Sequence, residues 1–230
     1  MPKKLARPLI FLGPPGAGKG TQARAVAERL GVPQIATGDM FRDHGARGTE
    51  LGRQAKAVME RGELVSDDIV VAMVAERIRQ PDSAQGFILD GFPRTRPQAE
   101  RLEALLAQAG WPGALAVNLE VSYTDLIRRL TGRRTCAVCG EIYNIHFRPP
   151  KVAGRCDRDG GELLQRADDR EEVIRERLQA YDQQTKPLVE FYRQRDSLVN
   201  VAGEGSPEQL TLRLLELLEP ARAAGVPRQL

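Results

Sequence analysis

Five short apolar runs divide the chain, and each has the length and hydrophobicity of a buried β-strand. They cover residues 8–12, 34–36, 87–90, 115–121 and 197–201. Between and after these runs, apolar residues recur at helical spacing. The helices predicted in this way cover residues 21–30, 66–80, 97–110, 168–195 and 206–220. Because strands alternate with helices, the pattern predicts an α/β fold with a doubly wound, five-stranded parallel sheet that binds ligands at the carboxyl ends of its strands.

Polar residues mark the ends of two of these helices. Ser66 is a predicted N-cap, and the two aspartates that follow it suit the positive end of a helix dipole. Ser206, with Gln209 three residues later, has the spacing of a capping box. Pro187 lies inside the longest predicted helix, which is therefore expected to bend there.

Two segments rich in Gly and Arg lie outside the alternation of strands and helices. Residues 37–65 separate the second strand from the Ser66 helix, and residues 132–169 contain all three cysteines. Both are predicted to be inserts over the mouth of the sheet, where lids usually lie. The predicted core consists of residues 1–36, 66–131 and 170–230.

The composition is that of an ordinary soluble protein, with 41% hydrophobic and 28% charged residues. No apolar run approaches the roughly 18 residues that would span a bilayer. The apolar run near the N-terminus is about five residues long and leads directly into a glycine loop, so a signal peptide is not expected. The sequence therefore predicts a cytoplasmic protein that does not bind a membrane.

Arginine dominates the basic residues, because only six of the 34 are lysines. A genome that prefers Arg codons would explain this, and so would guanidinium groups that bind phosphates in a bidentate manner. The net charge of +3 is too small to indicate a nucleic-acid partner by itself. The positions of the arginines must therefore decide between the two explanations.

Residues 13–21, GPPGAGKGT, nearly match the phosphate-binding pattern G-x-x-x-x-G-K-[ST]. Gly13, Gly18 and Lys19 fit, but position 20 is glycine and the hydroxyl arrives one residue late, at Thr21. The amides of such a loop bind anions, and Lys19 would reach the β and γ phosphates. The sequence thus predicts a phosphate site that lacks the usual magnesium-binding hydroxyl.

Asp90 ends the third apolar run, where proteins with such loops carry a carboxylate on the magnesium side. Alone, Asp-Gly after a strand is only a turn signal, but the glycine loop favours the functional interpretation. We expect magnesium to be held mainly by nucleotide phosphates and water, with Asp90 reaching it through that water. Thr21 is expected to bond a donor phosphate instead.

The cysteines have the spacing of a structural metal site. Cys136 and Cys139 form a C-x₂-C pair, and Cys156 is followed three residues later by Asp159. Two such pairs at this distance are typical of structural zinc, and a carboxylate oxygen is an acceptable fourth ligand. His146 lies between the pairs and could replace Asp159, although its aromatic surroundings favour a packing role. A small insert without its own core needs such a metal.

Five motifs occur in a fixed order: GPPGAGKGT, ATGDMFR, GELVSDD, DGFPRTRPQA and LTGRR. Together they resemble the adenylate kinase family over nearly the whole chain, and the long insert resembles that of its zinc-binding members. The resemblance implies a P-loop NTPase-type core with a helical NMP-binding insert at 37–65 and a zinc-containing lid at 132–169. It also implies a monomer that performs Mg·ATP + AMP ⇌ 2 ADP, and thereby adenine nucleotide homeostasis.

The resemblance assigns site residues position by position. It implies that ATP contacts Gly16, Ala17, Gly18, Lys19, Gly20, Thr21, Arg133, Ile142, Tyr143 and Gly205, although the loop at Gly205 departs from the family's spacing. It implies that AMP contacts Thr37, Arg42, Glu63, Leu64, Val65, Gly91, Phe92, Pro93, Arg94, Gln98, Arg166 and Arg177. The residues implied in catalysis are Lys19, Asp90, Arg94, Arg129, Arg133, Arg166 and Arg177.

Charge and acceptor chemistry favour these assignments independently. Two nucleotides bring about seven negative charges together, and arginine binds phosphate in a fixed geometry. A phosphate acceptor is already anionic, so positioning and charge neutralisation suffice and no general base is needed. Asp39 would be the base in a kinase that phosphorylates a hydroxyl, but a capping or salt-bridging role beside Arg42 is the better interpretation.

Three other functions fit part of the sequence. The first is a kinase acting on UMP or CMP, or one using GTP, although the long insert favours adenylate kinase. The second is a zinc-ribbon ATPase that binds nucleic acid, which would need a basic surface with interleaved aromatic residues. The third is a nucleotide-dependent switch, which the second set of anion-binding signals argues against.

Overall fold

The structure is a computed structural model that describes residues 5–223. In chain order, its strands are β1 (Leu9–Leu12), β2 (Gln34–Ala36), β3 (Ile88–Asp90), β4 (Leu115–Glu120), β5 (Arg133–Cys136), β6 (Ile142–Asn144), β7 (Leu163–Leu164) and β8 (Leu198–Ala202). Its α-helices are α1 (Lys19–Leu30), α2 (Thr37–Ala46), α3 (Glu50–Glu60), α4 (Asp67–Ile78), α5 (Arg96–Gln108), α6 (Tyr123–Thr131), α7 (Glu171–Ala180), α8 (Pro187–Arg193) and α9 (Pro207–Ala223).

Five parallel strands form the central sheet in the order β2-β3-β1-β4-β8. This confirms the predicted α/β class and the five-stranded parallel sheet. In the register of β1, Phe11 lies opposite Asp90 on one side and Val117 on the other. The carboxyl ends of β1 and β3 therefore meet at the same edge, which brings the glycine loop after β1 next to Asp90.

Successive β1 residues point to opposite faces of the sheet, and each face is covered by helices. Leu9 and Phe11 pack in a core with apolar residues of α1, α6, α7 and α9. Ile10 and Leu12 pack in a second core with residues of α4, α5 and α8. Because β1 is buried on both faces, it reads as a continuous apolar run rather than an alternating one.

The two predicted inserts have different structures. Residues 37–65 contain the helical pair α2 and α3, and the hydroxyl of Thr49 caps α3 by accepting from the Gly52 amide at 3.0 Å. Residues 132–169 contain a three-stranded antiparallel sheet in the order β6-β5-β7. Its small core, as far as the structure describes it, is formed by Cys136, Tyr143, Cys156 and Leu163.

The single long helix predicted over residues 168–195 is divided in the structure into two helices, α7 and α8. A π-helical turn at Tyr181–Thr185 joins α7 to α8, and the Lys186 amide donates to the Tyr181 carbonyl at 2.8 Å. The turn lies just before Pro187, which has no N–H to continue the α-helical pattern. Pro187 thus shifts the hydrogen bonding ahead of it, close to where a bend was expected.

The helix ends agree with the sequence in part. Ser206 and Gln209 make the reciprocal bonds of a capping box, each 3.2 Å long, as predicted. Ser66 occupies the N-cap position of α4, but its side chain makes no capping hydrogen bond. Helix α6 was not predicted, although Ser122 caps it by accepting from the Asp125 amide at 3.3 Å. Among the described residues, no helix is long and apolar enough to cross a membrane.

Candidate active site

A cleft of about 290 Å³ opens at the carboxyl ends of the central strands. Its lining comes from the glycine loop, the helical insert, the β5–β6 hairpin and α7. All six arginines predicted to bind phosphate line it. They are Arg42, Arg94, Arg129, Arg133, Arg166 and Arg177. The cleft is therefore a place where several cations from different elements converge on one ligand.

The glycine loop packs closely against helix α6. Gly16 has φ +85°, and a Cβ there would lie 2.9 Å from Cγ of Leu130 and 3.0 Å from the Leu126 carbonyl oxygen. Gly16 therefore allows the loop to rest directly on α6. Gly18 also has a positive φ and is the N-cap of α1, so the first amides of α1 face the cleft region. The residues Gly16 to Thr21 all line the cleft.

The ammonium group of Lys19 is folded back onto its own loop. Its Nζ donates to the carbonyl oxygens of Gly13 and Pro14, at 2.7 and 2.9 Å. Burial lowers the pKa of Lys19 to about 7, while the nearby Asp90 carboxylate opposes this shift and the Arg94 guanidinium adds to it. Lys19 is thus a half-buried ammonium group held by two loop carbonyls. The phosphate oxygens of a bound ligand could take the place of those carbonyls.

This lowered pKa predicts that ATP binding is linked to proton uptake. Phosphate oxygens favour the ammonium form, so ATP should raise the pKa of Lys19 from about 7. Above pH 7 the binding of ATP should then take up a proton, and ATP affinity should fall by up to about fivefold between pH 7 and pH 8. Calorimetric titrations in buffers of different ionisation enthalpy would measure the uptake.

The Lys19→Arg variant is the matched control for this titration. A guanidinium stays charged over the whole range, so the variant should lose the proton uptake assigned to Lys19. Any proton exchange that remains in the variant comes from ATP or from other titratable groups of the cleft, such as Asp90. An undiminished uptake in the variant would contradict the prediction.

Gly20 lies against the Asp90 carboxylate. A Cβ at position 20 would be 3.1 Å from Asp90 Oδ2, so a larger residue would press on the carboxylate. Gln34 on β2, which was not among the predicted site residues, spans this pair. Its Nε2 lies 3.3 Å from the Gly20 carbonyl oxygen and 3.4 Å from Asp90 Oδ2. Burial raises the pKa of Asp90, and the Lys19 ammonium counteracts that rise.

Gly91 anchors the opposite wall of the cleft. Its carbonyl oxygen accepts from Thr37 Oγ1 at 3.0 Å and from Arg94 Nε at 2.9 Å. Burial and the neighbouring Arg177 charge together lower the pKa of Arg94 to about 10. Arg42 forms an ion pair with Asp39, which confirms the salt-bridging interpretation of Asp39. Glu63, from the helical insert, lines the same region.

Gln98 lies behind this wall rather than in the lining of the cleft. It is buried, and its side chain accepts from the Arg94 amide and donates to Asp67 Oδ1, both at 2.7 Å. Its amide group therefore holds the loop that carries Arg94. The contact with AMP that the resemblance implied for Gln98 stays a prediction.

Five other residues implied for AMP also lie outside that lining: Thr37, Leu64, Val65, Phe92 and Pro93. Phe92 is fully buried in the core, next to a cis peptide bond with Pro93. Leu64 and Pro93 border a smaller cavity of about 60 Å³ between the glycine loop and the π-helical turn. Val65 packs against the core that contains Phe92.

Two adjacent carboxylates, Asp168 and Asp169, hold two of the arginines that line the cleft. Asp169 is 0% exposed and bonds Arg133 twice, at 2.5 and 2.7 Å, and Arg177 at 3.1 Å. Asp168 pairs with Arg177 at 3.0 Å. Neither carboxylate was predicted, because the resemblance assigned a role only to the neighbouring Arg166. Together they fix two guanidinium groups at the edge of the cleft.

Arg166 and Arg129 are held by neutral partners. The Nε of Arg166 donates to Thr135 Oγ1 at 3.1 Å, and burial together with the Arg133 charge lowers its pKa to about 9. Arg129 donates to the Gly203 carbonyl at 2.9 Å. Because no carboxylate is bonded to either guanidinium among the described contacts, both retain uncompensated charge toward an anionic ligand.

The β6 strand brings the small sheet over the cleft. Ile142 and Tyr143, both implied for ATP, line it together with Asn144 and Phe147. Asn144 donates to the Arg129 carbonyl at 2.9 Å, which ties β6 to the end of α6. Gly205 also lines the cleft, on the side of α9.

Cys136, Cys139, Cys156 and Asp159 form a cluster whose potential ligand atoms all lie within 4.8 Å of one another. Sγ of Cys139 is 3.7 Å from that of Cys156, and Cys136 Sγ is 3.3 Å from Asp159 Oδ1. Backbone amides of residues 138 and 158 point at Cys136 and Cys156, each 3.4 Å from sulfur. Three thiols and one carboxylate fit a tetrahedral zinc ion. His146 is not part of this described cluster and contacts the Phe147 ring instead.

Comparisons with known proteins agree with this geometry. The sequence profile of the family described as "Adenylate kinase" matches residues 11–197. A protein of that name from Thermodesulfovibrio yellowstonii is 53% identical over 92% of this chain and 98% of its own length. Another, from Archaeoglobus fulgidus, is 48% identical over 94% of this chain and 99% of its length. A third, from Anaeromyxobacter dehalogenans, is 54% identical over 87% of this chain and 94% of its own length.

Proposed function

The chain belongs to the adenylate kinase family and is an ATP:AMP phosphotransferase, and from that premise we propose how its cleft divides the two nucleotides. The observation that carries the proposal is the presence of two cationic walls in one cleft. Lys19 and the amides of the glycine loop form one wall, and Arg42 and Arg94 form the other. Two phosphate chains can therefore meet between them.

The donor wall would bind ATP. The amides from Gly16 to Thr21 and the ammonium of Lys19 would hold its phosphates, with Lys19 exchanging its two loop carbonyls for phosphate oxygens. Mg²⁺ bound with ATP would neutralise phosphate charge, and the residues present beside its expected position are Asp90 and Gln34. Ile142, Tyr143 and Gly205 would lie against the nucleoside.

The acceptor wall would bind AMP. Arg42 and Arg94 would hold its phosphate, while Thr37 and the Gly91 carbonyl fix the loop around Arg94. Glu63 and the segment that follows it would contact the nucleoside. Gln98 supports this wall through the Arg94 amide, so we assign it a positioning role rather than a direct one.

Phosphoryl transfer would then depend on charge and alignment. Arg129, Arg133, Arg166 and Arg177 would surround the transferring group, which needs charge neutralisation on its equatorial oxygens. AMP offers an anionic oxygen, so no side chain has to remove a proton. Residues 37–65 and 132–169 would act as flaps that exclude water and so prevent hydrolysis of ATP.

A matrix of turnover assays tests this substrate assignment. The enzyme would be assayed with AMP, UMP, CMP and GMP as acceptors and with ATP and GTP as donors, and AMP with ATP should give the highest kcat/KM. A higher kcat/KM for UMP or CMP would overturn the acceptor assignment. A higher value for GTP would overturn the donor assignment.

We further propose that the cysteine cluster holds one structural Zn²⁺. The donors are three thiols and a carboxylate whose ligand atoms already lie together, and the small sheet around them has few buried apolar residues of its own. In such a segment the free energy of metal binding contributes directly to folding. The enzyme is also proposed to act as a monomer, because one chain supplies every described wall of the cleft. We further propose that it works in the cytoplasm, as the sequence predicts.

Removing the metal should destabilise the protein. The purified enzyme should contain one zinc per chain, and stripping it with a chelator should lower Tm by roughly 5 °C or more in differential scanning calorimetry. The Asp159→Ala variant should lose zinc, whereas the His146→Ala variant should retain it. Loss of zinc from His146→Ala alone would favour histidine as the fourth ligand.

A further inference from the structure

Tyr143 lies between the nucleotide cleft and the cysteine cluster. It is on β6, between Ile142 and Asn144, and it is one of the residues that line the cleft. It is only 4% exposed, and it also belongs to the small core formed with Cys136, Cys156 and Leu163. One side chain is therefore in contact with two sites that have different chemistry.

The hydroxyl of Tyr143 is directed at the cluster. Its oxygen accepts from the Asp157 amide at 2.8 Å and lies 3.5 Å from Cys156 Sγ. Because the amide uses the oxygen as an acceptor, the phenolic proton remains available for the sulfur. A metal-bound thiolate is a good acceptor for such a proton, and contacts of this kind orient and stabilise metal ligands.

The backbone of Tyr143 is connected to the arginines of the cleft. It pairs with Arg134 across the β5–β6 hairpin, and its neighbour Asn144 lies opposite Arg133. Asn144 also donates to the carbonyl of Arg129 at 2.9 Å. A shift of Tyr143 relative to the cluster would therefore move strand β6, which contacts Arg129 and Arg133 through Asn144.

We propose that Tyr143 is a positioning residue that links the metal cluster to the ATP site, with its hydroxyl donating to the Cys156 thiolate. The proposal rests on the zinc site proposed above. The linkage is reciprocal. Zinc bound to the cluster would hold β6 in the position that binds ATP, and bound ATP would slow the release of zinc. AMP binds on the opposite wall and does not take part in this linkage.

The Tyr143→Phe variant tests the linkage, because it keeps the ring and removes the hydroxyl. Zinc release to a chromogenic chelator should be about 10- to 100-fold faster than from the wild type. The matched control is Tyr123→Phe, which removes the hydroxyl of a tyrosine that is 62% exposed and should leave release unchanged. Circular dichroism would show that each variant is folded.

Nucleotides supply a second readout that a merely structural role would not give. Mg·ATP should slow zinc release from the wild type at least threefold, whereas AMP should not, and the effect of Mg·ATP should be much smaller in Tyr143→Phe. The KM for ATP should rise in the variant while the KM for AMP stays within about twofold of the wild type.

The outcomes separate this inference from the metal site itself. A zinc-loaded wild type whose release rate is matched by Tyr143→Phe would overturn the role of the hydroxyl and leave the metal site standing. An equal effect of Mg·ATP on both proteins would overturn the linkage. A wild type that binds no zinc would overturn the metal site and the inference together.

Discussion

The Asp169→Asn variant should lose about 3 kcal/mol of its free energy of unfolding and roughly 100-fold in kcat. Asp169 is fully buried and bonds both Arg133 and Arg177. Removing one partner of a buried ion pair leaves uncompensated charge in a site of low polarity, which typically costs 3–5 kcal/mol. The two guanidinium groups would also lose their fixed positions, and small misplacements of this kind reduce turnover strongly. Urea unfolding and steady-state kinetics would measure the two effects.

The KM for ATP distinguishes a loss of arginine positioning from a loss of ATP binding. Neutralising Asp169 makes the cleft more positive, so the KM for ATP should stay constant or fall while kcat drops. The control is Asp182→Asn, which removes an exposed carboxylate paired with Lys186 and should change stability by less than about 0.5 kcal/mol. A variant at Asp169 with normal kcat would show that Arg133 and Arg177 are positioned by other contacts.

The central sheet and the glycine loop could be predicted from the sequence because their signals are local. A buried strand such as residues 8–12 is continuously apolar, and the glycine loop that follows has a distinctive spacing of Gly and Lys. The cluster of three cysteines and Asp159 could be predicted for the same reason, since its residues come in closely spaced pairs. Helix α6 carried a local signal as well, in Ser122 and the spacing of Leu126 and Leu130, but its short length concealed it.

The partners of the site residues could not be predicted, because they depend on tertiary contacts. Nothing near Gln34 indicates that its amide will lie between Gly20 and Asp90, 14 and 56 positions away. The same holds for Asp169, which meets Arg133 across the whole β5–β7 segment. A motif identifies which residues face the ligand, but not which other side chains hold them in place.

The Arg94→Ala variant should reduce kcat/KM for AMP by about 10²- to 10³-fold, while the dissociation constant for ATP changes by less than about threefold. Arg94 is at the acceptor wall, where burial and the nearby arginines lower its pKa to about 10 without removing its charge at neutral pH. Truncating one partner of a buried, hydrogen-bonded charge pair costs about 2–5 kcal/mol, which corresponds to this loss. Kinetics with AMP varied, and calorimetry with ATP alone, would measure the two quantities.

Two further variants show whether this loss arises from the missing charge. Arg96→Ala removes an exposed guanidinium two positions away, paired with Glu100, and should leave both quantities unchanged. Arg94→Lys keeps a positive charge but not the planar fork that donates to the Gly91 carbonyl, so it should recover only part of the lost kcat/KM. Equal losses of ATP and AMP binding in Arg94→Ala would place Arg94 between the nucleotides rather than at the acceptor. The division of the cleft into a donor wall and an acceptor wall would then have to be redrawn.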